Sequence, residues 1–497
     1  MRKNFLSIIT TLSVFISIFN VFSAYGAIDN EKSGFCNITT KIIEKGKDID
    51  CKGENITSSE LEKLIKNSAN NKKLHANELY IKNAIVVGDL ILKNVRIPYE
   101  LFLINFTFND NVDFSNSVFE KKIIFTSSTF KKEANFNAIK SAYSVFFDNV
   151  TFDGSVDFVA SNIDVDFNLQ KAKFLKENAN VSFNSMKIGG NALLNYALFN
   201  VCVNFARADI KGNLQLSGAK FTSTEKLNDS YKGTDGKYSY FFSGMKVGGG
   251  AFFNNTNFKG NFYMKDSYFE SVYFDNITYG CNINDKEDNY SDKINLTGMT
   301  YKHIYGIEDE KERDKLLKRT EFSKDVYTTM ETYFKNMGEN DIANEIYVKM
   351  KNKETERLSW SGTKFLNTLN SYLTGHGRYP VKAIIISAIF VFFGSVLFRP
   401  KYMEPAEPTQ TGSETGSTAL TTANTTVFKR FWNWLITWFW SDISFRFWYS
   451  LDLFIPVVDL KVEKNYKLRD GCNCIIRYYM YFHIIAGWIL VPIALLT

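Results

Sequence analysis

The sequence predicts a mainly β solenoid with four-sided coils of about 22 residues, followed by an α-helical hairpin and two transmembrane helices. Three observations lead to this fold class. Apolar residues recur at alternating intervals of five and six over residues 79–301, two helical stretches separated by a glycine follow, and two long apolar runs lie near the C-terminus.

The repeat is most regular over residues 81–174. Seventeen of the eighteen positions in this series are apolar, in a chain that is 45% hydrophobic, so composition alone does not explain it. The pattern resumes after residue 180 and after residue 240, and it fades towards Tyr301. The regular series is Ile81, Val86, Leu92, Ile97, Leu103, Phe108, Phe114, Phe119, Phe125, Phe130, Phe136, Ser141, Phe147, Phe152, Phe158, Ile163, Leu169 and Phe174.

This spacing fits neither an amphipathic helix, whose period is about 3.6 residues, nor a meander of β-hairpins. It fits a solenoid in which each short face offers one inward residue before a corner. Two intervals of five and two of six give a coil of about 22 residues, within the range of stacked structural repeats. Coils stacked about 4.8 Å apart would bury a ladder of phenylalanine rings.

Three segments of the repeat resemble pentapeptide-repeat proteins: residues 111–114 (NVDF), 203–208 (VNFARA) and 212–221 (GNLQLSGAKF). In that family a small residue precedes a central Leu or Phe by two positions, and the chain winds a right-handed quadrilateral β-helix. The resemblance therefore implies a right-handed, four-sided β-helix over residues 79–301. This chain departs from the family pattern by its intervals of six and its preference for Phe and Ile. The resemblance implies no single function, because members of the family differ widely.

The N-terminus predicts export. Residues 1–27 combine a basic start, an apolar run and small residues before Ala27, which is typical of a signal peptide or of an uncleaved N-terminal anchor. Residues 28–78 are predicted to form an N-terminal cap, with an amphipathic helix over residues 57–76. A solenoid needs such a cap, because an exposed strand edge invites aggregation.

The six cysteines show no metal-binding pattern, and no cofactor is expected. Cys36 and Cys51 lie fifteen residues apart just after the export segment, so they are a candidate structural disulfide in an oxidising compartment. The alternative is that both are small buried residues.

Three interruptions of the repeat predict loops at coil corners. About three extra residues fall at 176–180, about fifteen between Thr222 and Gly236, and a further polar tract lies at 282–292. Such loops lie on one face of many repeat proteins, where partners bind, although most are tolerated surface loops.

Beyond residue 301 the pattern becomes helical. Residues 302–375 predict a helical hairpin, with helices over 308–335 and 341–358 separated by Gly338. The sequence from Met330 to Lys351 resembles a helical hairpin of the tetratricopeptide-repeat kind. A single hairpin cannot bury its own apolar face, so we expect it to cap the solenoid or to lie on a membrane.

The C-terminal part predicts membrane association. Residues 376–398 and 475–497 are predicted transmembrane helices, since each has an apolar run long enough to cross a bilayer. Between them we predict a disordered linker at 399–427 and a Trp-rich interfacial segment at 428–474. The sequence from Trp448 to Leu460 resembles the membrane module that follows pentapeptide-like repeats in some bacterial proteins.

Five residues of this module are candidate functional residues. Carboxylates within a membrane are usually functional, so the two Asp residues could line a cation path, although no filter sequence accompanies them. The histidine could sense pH or bind metal, but a hydrogen bond to a neighbouring helix is the simpler interpretation. The candidates are Asp452, Pro456, Asp459, His483 and Trp488.

Charge and motifs restrict the function classes. The net charge is +6 with both signs interleaved, which predicts a solvated surface and no nucleic-acid partner. An inhibitor that mimics nucleic acid, as in some pentapeptide-repeat proteins, is disfavoured by the export segment and by the lack of negative charge. No Ser/His/Asp set, paired carboxylates or phosphate-binding loop is evident, so no enzyme is expected.

We therefore expect a membrane-anchored β-solenoid in a bacterial cell envelope, with the solenoid extracytoplasmic. It would contact the lipid bilayer and act as a binding or scaffold surface for a protein or envelope partner, with oligomerisation allowed. The first alternative is a sensor or channel-like membrane protein with the solenoid as its extracytoplasmic domain. The second is a surface enzyme acting on a polymer.

Overall fold

The computed structural model describes residues 35, 36, 38, 48–68, 78–176, 179–223, 239–279, 294–406, 442–455, 460, 462–469 and 471–496. The chain forms two compact units, Met1–Glu321 and Phe322–Thr497. The predicted export segment 1–27 lies outside the described residues, as do Pro456 and Asp459.

The first unit is a parallel β-solenoid of about eight turns, with about 22 residues per coil. A regular coil contributes four short strands, each paired in parallel with a strand one coil away. Phe130, for example, lies in register with Phe108 on one side and with Phe152 on the other. The predicted solenoid and its coil length are confirmed.

The strands form three sheets, and the third sheet takes two strands from each regular coil. The ten-stranded first sheet contains Asn55–Thr57, Ile85–Val87, Thr107–Phe108, Thr129–Phe130, Thr151–Phe152, Lys173–Phe174, Leu198–Phe199, Lys220–Phe221, Asn257–Phe258 and Thr278–Tyr279. The nine-stranded second sheet contains Leu90–Ile91, Val112–Asp113, Ala134–Asn135, Val156–Asp157, Asn180–Ser182, Cys202–Asn204, Tyr240–Phe241, Phe262–Tyr263 and Ile294–Asn295. The 17-stranded third sheet contains Asp48–Asp50, Glu78–Lys82, Arg96–Ile97, Glu100–Ile104, Val118–Phe119, Ile123–Ile124, Lys140–Ser141, Val145–Phe146, Asn162–Ile163, Phe167–Asn168, Lys187–Ile188, Ala192–Leu193, Asp209–Ile210, Leu214–Gln215, Lys246–Phe252, Tyr268–Tyr273 and Thr300–Tyr305.

Stacked aromatic rings fill the centre of the solenoid. The Phe130 ring lies 4.6 Å from that of Phe108 and 4.9 Å from that of Phe152, with all planes within 19°. Each ring is buried. Because parallel pairing in register places identical positions directly above one another, the sequence repeat becomes a continuous column of rings.

The alternating intervals of five and six correspond to two kinds of corner. A left-handed residue recurs every eleven positions, and it always falls within an interval of five, so this interval is the tight corner. Asn dominates the series because its short polar side chain tolerates positive φ. The series over the regular coils is Asn83, Asn94, Asn105, Asn116, Ser127, Ala138, Asn149, Ala160 and Lys171.

The three interruptions leave the solenoid at one corner, between a strand of the first sheet and the following strand of the second. Val156 pairs with Val181, 25 positions on, and Val203 pairs with Tyr240, 37 positions on. Relative to the coil of 22, these offsets confirm insertions of three (25 − 22) and fifteen (37 − 22) residues. The third insertion lies between Tyr279 and Ile294.

The solenoid begins earlier than predicted. Asp48–Asp50 and Asn55–Thr57, which were assigned to the N-terminal cap, pair in parallel with Tyr80–Lys82 and Ile85–Val87. Helix α1 (Ser58–Ser68) interrupts this first coil, so the five-and-six alternation is not visible in the sequence there. Cys36 and Cys51 are joined by a disulfide, with their Cα atoms 5.5 Å apart.

Helix α1 covers one free edge of the second sheet. Leu90–Ile91 is the terminal strand of that sheet. The Ile91 N–H donates to Glu62 Oε1 (2.7 Å), and the Ile91 carbonyl accepts from Lys66 Nζ (3.2 Å). The helix thus satisfies edge groups that would otherwise be open to another chain.

The opposite edge is covered by the residues that follow helix α2 (Glu310–Arg319). Thr320 forms a parallel bridge with Ile294 in the last strand of the second sheet, and Glu321 N–H donates to the Ile294 carbonyl at 2.8 Å. The single helix predicted over residues 308–335 is therefore wrong. It is broken at residues 320–323 because this stretch extends to complete the sheet edge.

The second unit is helical. Helices α3 and α4 pack against each other through residues that include Phe334, Ile346 and Met350, all buried. Helices α6 and α8 are long and apolar enough to cross a membrane. The helices are α3 (Lys324–Asn336), α4 (Asn340–Arg357), α5 (Gly362–Thr374), α6 (Pro380–Leu397), helical residues 442–454, α7 (Val462–Asn465) and α8 (Cys474–Leu496).

The predicted disordered linker, 399–427, is ordered at its start. After a 3₁₀ turn at Pro400–Tyr402, the strand Met403–Pro405 pairs antiparallel with Tyr466–Leu468. Met403 packs in a buried cluster with Phe398, Tyr449, Leu453, Leu468 and Ile476. The sequence prediction missed this order because the partner strand lies some sixty positions later (466 − 403 = 63). Residues 407–441 lie outside the described part of the chain.

Candidate functional site

The candidate site lies in a three-helix module formed by α6, residues 442–454 and α8. Two glycines allow the segments to approach closely. A Cβ atom at Gly487 would lie 1.8 Å from the Phe454 carbonyl oxygen, and one at Gly394 would lie 2.1 Å from Ser450 Oγ. Small residues at helix contacts are typical of helices that associate within lipid.

His483 lies at the centre of this module and is fully buried. Its Nε2 atom is 3.0 Å from the Ser450 carbonyl oxygen and 3.2 Å from Ser450 Oγ, and its Nδ1 atom is 3.4 Å from the Tyr479 hydroxyl. We call these three residues the His483 cluster. Rings of three phenylalanines lie 5.1–6.4 Å from the imidazole: Phe390, Phe398 and Phe454.

The His483 cluster joins all three segments. Ser450 Oγ donates to the Val391 carbonyl at 2.9 Å, and the Tyr479 hydroxyl donates to the Phe390 carbonyl at 3.3 Å. An imidazole protonated on Nε2 donates to the Ser450 carbonyl and leaves Nδ1 as an acceptor. The Tyr479 hydroxyl has one proton, which it shares between the Phe390 carbonyl and Nδ1, so each polar group of the cluster lies within hydrogen-bonding distance of a partner, as buried polar groups require.

This geometry does not resemble a nucleophile and its base. In a catalytic pair the serine hydroxyl donates to the imidazole, whereas here the Ser450 hydroxyl donates to a helix carbonyl. His483 and Ser450 are both fully buried. The cluster instead acts as a set of interhelical hydrogen bonds, the simpler of the interpretations drawn for His483 from sequence.

The other predicted site residues are not part of the cluster. Asp452 is buried, and its Oδ1 accepts from the Leu460 N–H at 2.8 Å. Trp488 is 62% exposed on the outer face of α8. Pro456 and Asp459 lie outside the described residues.

Sequence reasoning missed Ser450, Tyr479 and Gly394. Tyr479 and Gly487 lie four positions before and after His483, so the helical period alone places them on its face. Nothing in the sequence pairs Ser450 with His483, because the two are 33 positions apart.

The structure describes part of the predicted interfacial segment, residues 428–474. Its described residues 442–454 pack against both α6 and α8, through Tyr449 on Phe398 and Phe454 on Gly487. One face of this helical stretch is therefore buried between the two helices: Tyr449, Ser450, Leu453 and Phe454.

Within the described ranges, no group of three or more His, Cys, Asp or Glu side chains could hold a metal ion. Comparison of the chain with family models, with curated protein sequences and with solved structures finds no match.

Proposed function

We propose that this protein is a membrane-anchored scaffold, in which α6 and α8 span a lipid bilayer and the β-solenoid presents a binding surface. One observation carries the proposal: the three-helix module buries a polar cluster at its centre and leaves many large apolar side chains of α6 and α8 exposed. Water-soluble helices show the reverse arrangement.

The exposed fractions support a lipid-facing surface. On α6, Ile384, Phe392 and Phe393 are 55–65% exposed. Lys382 is the one charged residue of this helix, so its exposed surface is almost entirely apolar. On α8, Tyr478 and Trp488 are 73% and 62% exposed. An apolar surface of this extent on a soluble protein would promote aggregation, whereas lipid tails would cover it.

We further propose that the solenoid has the right-handed, four-sided coil of pentapeptide-repeat proteins. The four short strands of a regular coil support this assignment, as does a small or aliphatic inward residue two positions before the central Phe. Val112 before Phe114 and Ala134 before Phe136 illustrate the pattern, and all four side chains are buried.

The disulfide supports an extracytoplasmic solenoid. Disulfides persist in oxidising compartments and are rare in the cytosol, so the Cys36–Cys51 bond fits export of this unit. The bacterial cell envelope is the proposed location. The corner that carries the three insertions is the proposed side for an envelope partner, because loops on one face of a repeat scaffold commonly bind.

A non-catalytic anchor accounts for the module better than a channel or sensor does. Asp452, proposed from sequence for a cation path, and His483, proposed as a pH sensor or metal ligand, are both buried within a single chain and hydrogen-bonded there. A channel would need such groups to face a pore.

Membrane partition tests the anchor. Wild-type protein should stay in the pellet after alkaline carbonate extraction. A variant carrying Ile385→Lys and Phe393→Lys should move towards the soluble fraction or fail to accumulate, because a lysine facing the bilayer centre is strongly unfavourable. Val165→Lys, at a solenoid residue that is 39% exposed, is the matched control and should remain in the pellet. Extraction of the wild-type protein by carbonate would contradict the proposal.

Thiol labelling of intact cells tests the orientation. One variant carries Tyr196→Cys, at a solenoid position that is 67% exposed, and the other retains Cys474, which is exposed at the start of α8. An impermeant reagent should label residue 196 and not residue 474. The opposite pattern would place the solenoid in the cytoplasm.

A further inference from the structure

Some polar side chains at the end of helix α5 face its own unit. Ser371 Oγ donates to Asn352 Oδ1 of α4 at 2.6 Å, and Thr374 is fully buried. His376, just after α5, donates from Nε2 to the same Asn352 oxygen at 3.0 Å. Other polar residues of the helix, Thr363, Thr368 and Asn370, are exposed.

Part of the apolar side of α5 faces outward, whereas Leu369 and Leu373 on that side pack against a buried cluster of the unit. Phe365, Leu366 and Tyr372 are 57%, 61% and 76% exposed, and Trp360, just before the helix, is 84% exposed. In helical projection Phe365, Leu366 and Tyr372 lie on one side, since they are separated by one, six and seven positions. Aromatic residues with an apolar body and a polar edge are enriched where a membrane meets water.

The same stretch is basic. Residues 357–382 contain four cationic side chains and no Asp or Glu. Arg378 is paired with Glu331, but Arg357, Lys364 and Lys382 form no ion pair with any carboxylate of the described residues. Lys364 Nζ donates only to the Glu356 and Leu358 carbonyls, at 3.1 and 2.9 Å.

The apolar surface of α5 continues into α6. Gly375 ends α5 in a left-handed conformation, and Tyr379 N–H donates to the Thr374 carbonyl at 2.7 Å. Pro380 then begins α6, whose Val381 and Ile384 are 61% and 55% exposed. A short hydrogen-bonded turn therefore holds α5 beside the end of the proposed span.

We propose that α5 and Trp360 lie in the headgroup region of the bilayer, and that Arg357, Lys364 and Lys382 bind anionic phospholipids. The inference rests on the proposed membrane anchor and adds a lipid class to it. Lipid is the occupant that fits, because exposed apolar side chains of α5 are followed by those at the start of α6, and the stretch 357–382 carries cations and no Asp or Glu. Basic residues beside an apolar helix face are the features by which helices bind anionic membrane surfaces.

Lipid-borne quenching tests the inference on the full chain. Cys202, Cys281, Cys472 and Cys474 are changed to Ser, and an environment-sensitive fluorophore is attached at Leu366→Cys. The protein is reconstituted in vesicles of phosphatidylcholine, with or without phosphatidylglycerol, that contain a lipid spin-labelled near the headgroup. We expect blue-shifted emission and strong quenching at residue 366, both larger when phosphatidylglycerol is present.

Two control positions and one charge variant complete the design. Met337→Cys, 58% exposed between α3 and α4, should show neither effect. Phe393→Cys should be quenched by a lipid spin-labelled deep in the acyl chain, and this signal tests the anchor independently of α5. Adding Arg357→Gln and Lys382→Gln should abolish the response of residue 366 to phosphatidylglycerol.

The outcomes separate the two proposals. Loss of quenching at both 366 and 393 overturns the membrane anchor. Quenching at 393 with an unquenched, water-like probe at 366 overturns the inference alone. A blue-shifted probe at 366 that no spin-labelled lipid quenches also overturns it, since a protein surface then covers the helix.

Discussion

Gly394 lies directly against Ser450: a Cβ atom on this glycine would be 2.1 Å from Ser450 Oγ and 3.0 Å from His483 Cε1. The contact brings α6 close enough for Ser450 Oγ to reach the Val391 carbonyl. The hydrogen bonds of the His483 cluster therefore depend on the absence of a side chain at residue 394.

We predict that Gly394→Ala destabilises the three-helix module, because the added methyl group must push α6 away from Ser450. Overpacking of this kind costs about 1–3 kcal/mol. Thermal unfolding of the full chain in detergent should show a lower midpoint. Gly362→Ala is the matched control, since nothing lies within 4 Å of a Cβ atom there. Equal midpoints for the two variants would contradict the packing argument.

Removal of one ring from the phenylalanine column should destabilise the solenoid. Phe130 is fully buried between Phe108 and Phe152, so Phe130→Ala leaves a cavity and should cost about 3–5 kcal/mol in unfolding free energy. Denaturant unfolding followed by circular dichroism near the β-sheet minimum measures the loss. Val165→Ala, at a partly exposed position of the same solenoid, should change the midpoint little. A small effect at residue 130 would mean that the column can close around the gap.

The tight corners predict opposite effects for two substitutions at one residue. Ala138 has φ +52°, a conformation that costs about 1 kcal/mol for most residues and less for Asn. Ala138→Asn should therefore raise the denaturant midpoint. It also places an amide directly above Asn116, one coil away.

Ala138→Val should lower the same midpoint, because a β-branched side chain at positive φ clashes with the backbone. The two variants change the same partly exposed corner residue, so surface effects are common to both. If both shifted the midpoint in the same direction, backbone conformation would not be the cause.

Asp148 should make the solenoid's stability depend on pH. Burial raises the pKa of its carboxyl above the ordinary value of 3.8, although the Thr126 hydroxyl donates to Oδ1 at 2.8 Å and opposes the shift. Because the folded-state pKa is raised, its stabilising contribution is complete below the unfolded pKa and is lost as the pH rises through the folded one. Asp148→Asn should therefore be more stable than the wild type at neutral pH, with the advantage shrinking towards pH 3.8.

Asp110→Asn is the control of opposite sign. The hydrogen bond from Lys132, with a second from the Gly88 N–H, holds the pKa of Asp110 below its ordinary value. Its contribution is present above the unfolded pKa and is lost as the pH falls, so this variant should lose stability at neutral pH. Unfolding midpoints measured from acid to neutral pH distinguish the two residues. If the midpoints of both variants changed with pH as those of the wild type do, neither carboxyl would contribute to the pH dependence of stability.

Part of the candidate site could be read from the sequence. His483 stands out as an ionisable residue within an apolar run, and the helical period places Tyr479 and Gly487 on its face. Its hydrogen-bond partner could not be found, because Ser450 is 33 positions away and is an unremarkable serine in an aromatic stretch. Asp452 stood out for its charge, but its partner, the Leu460 N–H, lies eight positions later and no sequence pattern points to it.

The sequence by itself determined the features that depend on local or periodic order. The coil length, the sizes of the first two insertions, the helix that covers the first edge and the two long apolar helices all follow from spacing within a few tens of residues. Because the strands pair in parallel and in register, the residue pattern of one coil recurs at the same place in the next coil.

The tertiary structure decided what depends on partners distant in the chain. The sequence of residues 320–323 favours helix, yet the chain is extended there. Thr320 and Glu321 pair with Ile294, which lies in the terminal strand of the second sheet. Residues 403–405 read as linker, yet they form a strand because Tyr466–Leu468 pairs with them. In each case the local preference is weak, and the hydrogen bonds and buried area supplied by the distant segment outweigh it.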